Sequence, residues 1–171
     1  MANKCDNKCS AMRFELNRKI LMIERKKYNP GWALPAGHLD GLSAKEAARK
    51  ESKEEVGLAP EKLERVLEIS LPNTCKRDGG THHYWYVFDV PKWSGELKAS
   101  EEEVKKMEWK TKEEISELLA KLQNFVSAHG FFLTPEDLPK VVKKTNEDVE
   151  WKKSPGLEPP MYFLFKELKL I

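Results

Sequence analysis

The chain has 171 residues, of which 34% are charged and 40% hydrophobic, and its formal net charge is +2. This composition is that of a globular protein rather than a disordered chain, and the length allows one domain with a proper core, alone or with an extension. The small positive excess argues against nucleic-acid or membrane binding, and no apolar run approaches the length of a membrane span.

The N-terminal stretch Met1 to Asp6 lacks a signal-peptide core. Three cysteines, Cys5, Cys9 and Cys75, make an odd count without a disulfide rhythm, which points to a reducing cytoplasm. Cys5 and Cys9 are close enough in sequence to share a metal. No second pair or neighbouring histidine completes a zinc site, however, so the cysteines are read as small buried thiols.

In chain order, Met12 to Phe14 and Ile20 to Ile23 flank Asn17-Arg18 and predict a two-stranded hairpin. A basic loop punctuated by Pro and Gly follows, Arg25 to Gly31, and then Trp32-Ala33-Leu34-Pro35-Ala36-Gly37. Ser43 with Glu46 forms a capping box and Gly57 a stop, so the segment from Ser43 to Val56 predicts a helix. Val66 to Leu71 and His83 to Val90 predict strands joined through Asp78-Gly79-Gly80. The second is rich in aromatic and β-branched residues, as a central strand would be. Val104 to Lys110 is a further strand. Thr111 with Glu114 opens an amphipathic helix to about Asn124, with Ile115, Leu118, Leu119 and Leu122 on one stripe. Beyond Gly130, Thr134-Pro135-Glu136-Asp137 predicts another helix start, and the turn-rich Ser154 to Pro160 precedes the apolar Met161 to Phe165. Mixed strands, helix, strands, helix predict an α/β sandwich with a mixed sheet. The division expected is a domain over 1–130 and an extension over 131–171 packed on it.

The Ser43 to Val56 helix carries the most informative pattern. At about 100° per residue, Lys45, Glu46, Arg49, Lys50 and Lys53 share one arc, while Ala44, Ala47, Ala48, Ser52 and Val56 share the opposite one. Glu51 and Glu55 fall in the middle of that apolar arc, with Glu54 at its edge. Inward-facing carboxylates spaced three and four residues apart repel one another and lose hydration, so they call for an offsetting cation. A divalent ion with oxygen ligands is the simplest, and that implies chemistry on phosphates.

Gly37-His38-Leu39-Asp40-Gly41-Leu42-Ser43, continued by Lys50-Glu51-Ser52-Lys53-Glu54-Glu55-Val56-Gly57-Leu58, resembles the signature of Nudix hydrolases, Gly-x5-Glu-x7-Arg-Glu-apolar-x-Glu-Glu-x-Gly-apolar. The resemblance is specific over residues 32–58 and extends in outline to Trp109 and Glu114. It implies an α/β/α sandwich whose loop–helix–loop binds Mg²⁺ (or Mn²⁺) and hydrolyses the pyrophosphate of a nucleoside diphosphate linked to another group. Carried over, Glu51, Glu54 and Glu55 are metal ligands and Gly37 lends a carbonyl oxygen. The chain departs from the pattern in four places. Lys50 replaces the Arg that orients a carboxylate, Leu42 replaces the upstream Glu, the loop is one residue shorter, and Ser52 replaces an apolar residue. Asp40 is a candidate compensating oxygen.

Two sources of a general base stand open: a Glu of the helical cluster, or Glu103 in the Glu101-Glu102-Glu103 run, where related enzymes often place it. Arg25, Lys26 and Lys27 are candidate phosphate contacts or a basic surface loop. Tyr28, Trp32, Trp85 and Tyr86 are candidates for base stacking or for core packing, with Trp85 on the face opposite Tyr84 and Tyr86. His82 and His83 are not spaced like metal ligands on one face and are read as strand-edge residues or phosphate hydrogen-bond donors. The partner expected is a nucleotide small molecule, with the chain a monomer or homodimer. The departures support a second reading, a Nudix-like regulatory module that binds a nucleotide without cleaving it.

Overall fold

The computed structural model describes residues 3–171, so Met1 and Ala2 of the stretch read for a signal peptide lie outside the described residues. Strand β1 (Lys8–Arg13) is followed by β2 (Glu15–Leu16), β3 (Lys19–Arg25), β4 (Trp32–Ala33) and β5 (Ala36–His38). Helix α1 (Ala44–Val56) leads into β6 (Leu58–Leu71), β7 (His83–Gly95), β8 (Val104–Lys110) and α2 (Lys112–Ala128). The chain closes with α3 (Leu138–Glu147), α4 (Val149–Lys153) and α5 (Pro159–Glu167).

One mixed sheet runs β5-β1-β7-β6, and a second runs β2-β3-β4 with β8 on the other edge of β3. Strands β1 and β7 pair in parallel, while β5 and β6 flank them antiparallel. The predicted hairpin is therefore half right. Asn17 and Arg18 turn with φ of 51° and 60°, and they join β2 to β3. The residues before Phe14, however, leave for the other sheet and pair with β7, more than seventy residues away in sequence.

Both faces of these strands are covered, which explains the uninterrupted buried runs in β1 and β3. Met12, Phe14, Leu21 and Ile23 pack towards Ala48 and Val56 of α1. Their neighbours Ala11, Ile20 and Met22 pack on the opposite side with Ile115 and Leu122 of α2, Val141 and Val142 of α3, and Leu164 and Phe165 of α5. Helices thus clothe both sides of mixed strands, an α/β/α arrangement. The 131–171 segment shares a core with the strands. Among the described residues, no helix is long and apolar enough to cross a membrane.

Local signals set the helix ends. The Ser43 and Thr111 capping boxes are both closed in both directions, each worth about 1 kcal/mol. Gly57 takes the left-handed conformation (φ 79°) and its N–H returns to the Lys53 carbonyl. Helix α2 runs four residues past the predicted Asn124. Helix α3 starts later than predicted: Pro135 sits in a turn, Asp137 takes the N-cap position, and Pro139 falls in the first helical turn, where no N–H is needed.

Candidate active site

Helix α1 is pinned at both ends of its inward face. The Ser10 hydroxyl of β1 donates to the Ala44 carbonyl at 2.8 Å, and the Ser52 hydroxyl donates to the Leu58 carbonyl at 2.7 Å. Ser52 is fully buried, so the hydroxyl that replaces an apolar residue has a partner and ties the helix to β6. So held, α1 turns its acidic end onto a cavity of about 460 Å³ that Gly37, Glu51, Glu54, Glu55 and Glu103 all help to line.

The three helical carboxylates occupy three different environments, as their arc predicts. Glu55 is buried (side chain 3% exposed); the Ala36 N–H donates to one of its oxygens at 2.8 Å and the Arg25 guanidinium to the other at 3.2 Å. Glu51 lies against Gly37: a Cβ added there would overlap its carboxylate, so only glycine lets strand and acid come together. Glu54 is open to solvent (56% exposed). Burial pushes the Glu51 carboxyl up to about 7, with Glu54 and Glu103 adding repulsion against the pull of Lys50. Burial likewise raises Glu55 to about 8, against Arg25 and the Ala36 N–H. These acids share a proton-hungry, all-oxygen corner whose charge wants a cation.

Lys50, the residue in the orienting position, stands 4.0 Å from Glu51 and 3.9 Å from Glu54, itself 46% exposed. It bridges the two loosely, as a flexible ammonium does. The planar fork comes from elsewhere. Arg25, read from sequence as a substrate contact, is engaged by Glu55 and by Glu158, the latter at 3.4 Å. Arg25 thus braces the buried acid from the end of β3 while still lining the cavity.

Among the other candidates, Glu103 is exposed on the turn before β8 and lines the cavity, close enough to Glu51 and Glu55 to raise both. Tyr28 and Trp85 line it as well, Trp85 donating its indole N–H to the Asn73 side chain at 3.0 Å. Trp32 does not. It is 6% exposed, packed in the core with the Lys110 ammonium 4.1 Å above its ring, which corrects its substrate-binding assignment. Tyr84 and Tyr86 pack at a tilt with ring centroids 5.0 Å apart, on the side opposite Trp85 as alternation requires. His83 borders the cavity but is buried inside a central strand rather than at an edge, with Nδ1 2.8 Å from the Asn73 carbonyl. Asp40 is held by Arg77 at 2.5 and 3.3 Å, which keeps its carboxyl below the usual range and leaves it on the cavity rim. Leu42 is 39% exposed and away from the cavity lining. The basic loop borders a second recess of about 530 Å³ shared by Lys26, Lys27, Lys105 and Lys152.

Sequence reasoning missed Glu158, a buried carboxylate brought to Arg25 because Leu157 pairs with Trp32 and the Glu158 N–H donates to the Trp32 carbonyl at 2.9 Å. No local signal announces it. The reading that no histidine joins the cysteines is also corrected. Cys5 lies 3.7 Å from Cys75 and 3.4 Å from His83, while Cys9 turns towards the Tyr84 carbonyl.

The donors of the acidic corner are oxygens on a helix, a strand and a turn, with Glu51 seated over Gly37, and this chemistry fits a hard divalent cation. Glu54 and Lys50 are exposed enough to rearrange around such an ion, and Mg²⁺ keeps part of its water shell, so it does not require every carboxylate to converge beforehand.

The profile of the NUDIX domain matches residues 9–133. Among solved structures, the chain is similar to a MutT NUDIX hydrolase from Burkholderia pseudomallei, at 23% identity and a TM-score of 0.54, covering 63% of this chain and 84% of that one. It is similar to a mutator MutT protein from Bacillus halodurans, at 26% identity and a TM-score of 0.52, over 64% and 71% of the two chains. It also shares its fold with the NUDIX domain of Shewanella oneidensis NrtR, solved with ADP-ribose, at 14% identity and a TM-score of 0.51, over 70% and 79%. No curated protein is matched. Nudix hydrolases generally use divalent metals. With a family profile spanning most of its length and the acidic corner where the signature puts it, the chain belongs to the Nudix family and is a Nudix pyrophosphohydrolase.

Proposed function

We propose that the chain is a Mg²⁺-dependent cytoplasmic hydrolase of a nucleoside diphosphate linked to another group, such as an ADP-ribose-like compound, a nucleotide sugar, a dinucleoside polyphosphate or a modified nucleoside triphosphate. The unit over 1–130 carries the chemistry and the 131–171 extension supports it, as a monomer or homodimer. One observation carries this reading: Glu55 is buried and Glu51 half-buried against β5, with Glu51 pressed onto Gly37, in a cavity that also admits Glu54 and Glu103.

Glu51, Glu54, Glu55 and the Gly37 carbonyl oxygen would hold the cation. When bound, Mg²⁺ (or Mn²⁺) neutralises phosphate charge and lowers the pKa of a coordinated water. Arg25 fixes Glu55 so that its second oxygen keeps its aim. Lys26 and Lys27, with Lys105, draw the remaining phosphate oxygens towards the basic recess. Tyr28 and Trp85 offer flat walls to the base. The attacking water forms a new P–O bond as the bridging P–O bond breaks, and its proton passes to a carboxylate, for which Glu103 is the preferred acceptor over the helical acids.

The test is phosphate release from a panel of these compounds with Mg²⁺ and a phosphatase, ADP-ribose included. Glu54→Gln, whose side chain makes no buried contact, is expected to lose roughly 10²- to 10⁴-fold in kcat with its circular dichroism unchanged. Full activity in this variant and in Glu55→Gln would overturn the roles given to the trio. Tight nucleotide binding without turnover across the panel would instead establish the binding module.

A further inference from the structure

The same cavity is also bordered by side chains of another chemistry, His38, Cys75 and His83, with Cys5 beside them. Among the described residues, the one set of three or more His, Cys, Asp or Glu side chains whose ligand atoms all lie within 4.8 Å of one another is Cys5, His38, Cys75 and His83. The segment before β1, the end of β5, the β6–β7 loop and the start of β7 each supply one member. The Cys5 and Cys75 sulfurs are 3.7 Å apart, Cys5 Sγ is 3.4 Å from His83 Nε2, and the two Nε2 atoms are 3.2 Å apart. A tetrahedral zinc with Zn–S of about 2.3 Å and Zn–N of about 2.0–2.1 Å demands edges of about 3.8 Å (S–S), 3.6 Å (S–N) and 3.3 Å (N–N). The three measured edges match all three.

Supporting contacts agree. His83 Nδ1 faces the Asn73 carbonyl at 2.8 Å, so that nitrogen carries the proton and Nε2 presents its lone pair to the sulfurs. Asn73 is itself buried and fixed by the Trp85 indole. The backbone shapes the sulfur side: Cys5 N–H donates to the Asp78 carbonyl at 2.8 Å and Cys75 N–H to the Gly80 carbonyl at 3.1 Å. At Gly80 a Cβ would overlap the Cys75 sulfur and come within 3.4 Å of the Cys5 Cβ, so glycine there keeps the space between the thiols clear.

We propose that Cys5, His38, Cys75 and His83 form a structural zinc site that clasps the N-terminal segment and the β6–β7 loop onto β5, one residue from Gly37. Four protein ligands leave no open position for substrate water, so the ion's role is to hold the wall of the cavity. Thiolate and imidazole favour zinc, while the oxygen-only corner across the cavity favours magnesium. The two sites are thereby chemically sorted.

The experiment is metal analysis of the full chain purified without chelators, then replacement of the zinc by cobalt(II). One zinc per chain is expected, with cobalt giving intense tetrahedral d–d bands and a thiolate-to-cobalt charge-transfer band. Cys75→Ser should lose the retained zinc, whereas Cys9→Ser, whose thiol points elsewhere, should keep it. If Cys75→Ser does not fold, the cobalt spectrum of the unaltered chain decides the matter. Absence of retained zinc after exposure to a zinc buffer under reducing conditions would overturn the proposal, as would a cobalt spectrum without sulfur charge transfer. So would zinc kept by Cys75→Ser, or a Cys5–Cys75 disulfide in the chain isolated under reducing conditions. None of these readouts depends on hydrolytic activity.

Discussion

The two walls of the cavity are built on opposite principles. The acidic wall takes its three main carboxylates, Glu51, Glu54 and Glu55, from one stretch of one helix; they grade from buried to open and are loosely bridged by an exposed lysine. The cysteine–histidine cluster comes from four separate segments whose ligand atoms all lie within 4.8 Å of one another. A site that must admit substrate and exchange water profits from unfinished coordination, while one that only fastens loops profits from completeness. Hard and soft donors can therefore share a cavity without competing for the same ion.

The sharpest way to break this comparison is to attack the support of the acidic wall. Arg25→Met leaves Glu55 and Glu158 buried without their shared cation, and removal of one partner from such a pair costs about 3–5 kcal/mol. Urea denaturation should show that loss, and an unchanged midpoint would mean that Arg25 does not organise the buried acid. Gly37→Ala comes next. Its methyl group displaces the Glu51 carboxylate, and a misplacement near 1 Å costs about 10²-fold in rate, so kcat should fall by that order while the fold persists. Wild-type kcat in this variant would detach Glu51 from Gly37.

The smallest effect is a pH dependence. Glu51 and Glu55 titrate higher in the folded chain (about 7 and about 8) than the ordinary glutamate value of 4.5, because burial penalises their ionised forms. The folded chain therefore holds those protons more tightly than the unfolded chain. Their stabilising contribution is complete below about 4.5 and is lost as pH rises through about 7 to 8. In EDTA the melting temperature should decline across that window, and added Mg²⁺ should remove the decline. A melting temperature that rises from pH 5 to 8 in EDTA would contradict it.

Legibility followed sequence distance. The caps at Ser43, Gly57 and Thr111 were readable because each is completed within a few residues, and the ends of β8 agree for the same reason. The inward arc of α1 correctly ranked Glu55 as buried and Glu54 as peripheral, since helical phase is a local property. The hairpin failed at β1 because parallel pairing with β7 leaves no trace near residue 12. The ion pair of Arg25 with Glu158 was not legible, because nothing near residue 25 announces a carboxylate so distant in sequence. The metal-like spacing of Cys5, His38, Cys75 and His83 exists only in three dimensions, and there is no short Cys-x-x-Cys pair to announce it.

The reach of Glu158 into Arg25 has a consequence for how fragments of this protein would behave. A piece cut at residue 133, where the family profile stops, would still carry the whole 37–58 stretch that resembles the signature. It would be missing one arm of the brace behind Glu55, and Arg25 would close on that acid alone. Such a trimmed chain would pass inspection by motif, yet it would also lose Val141, Val142, Leu164 and Phe165 from the shared core, so a melting curve would expose the amputation before any assay did.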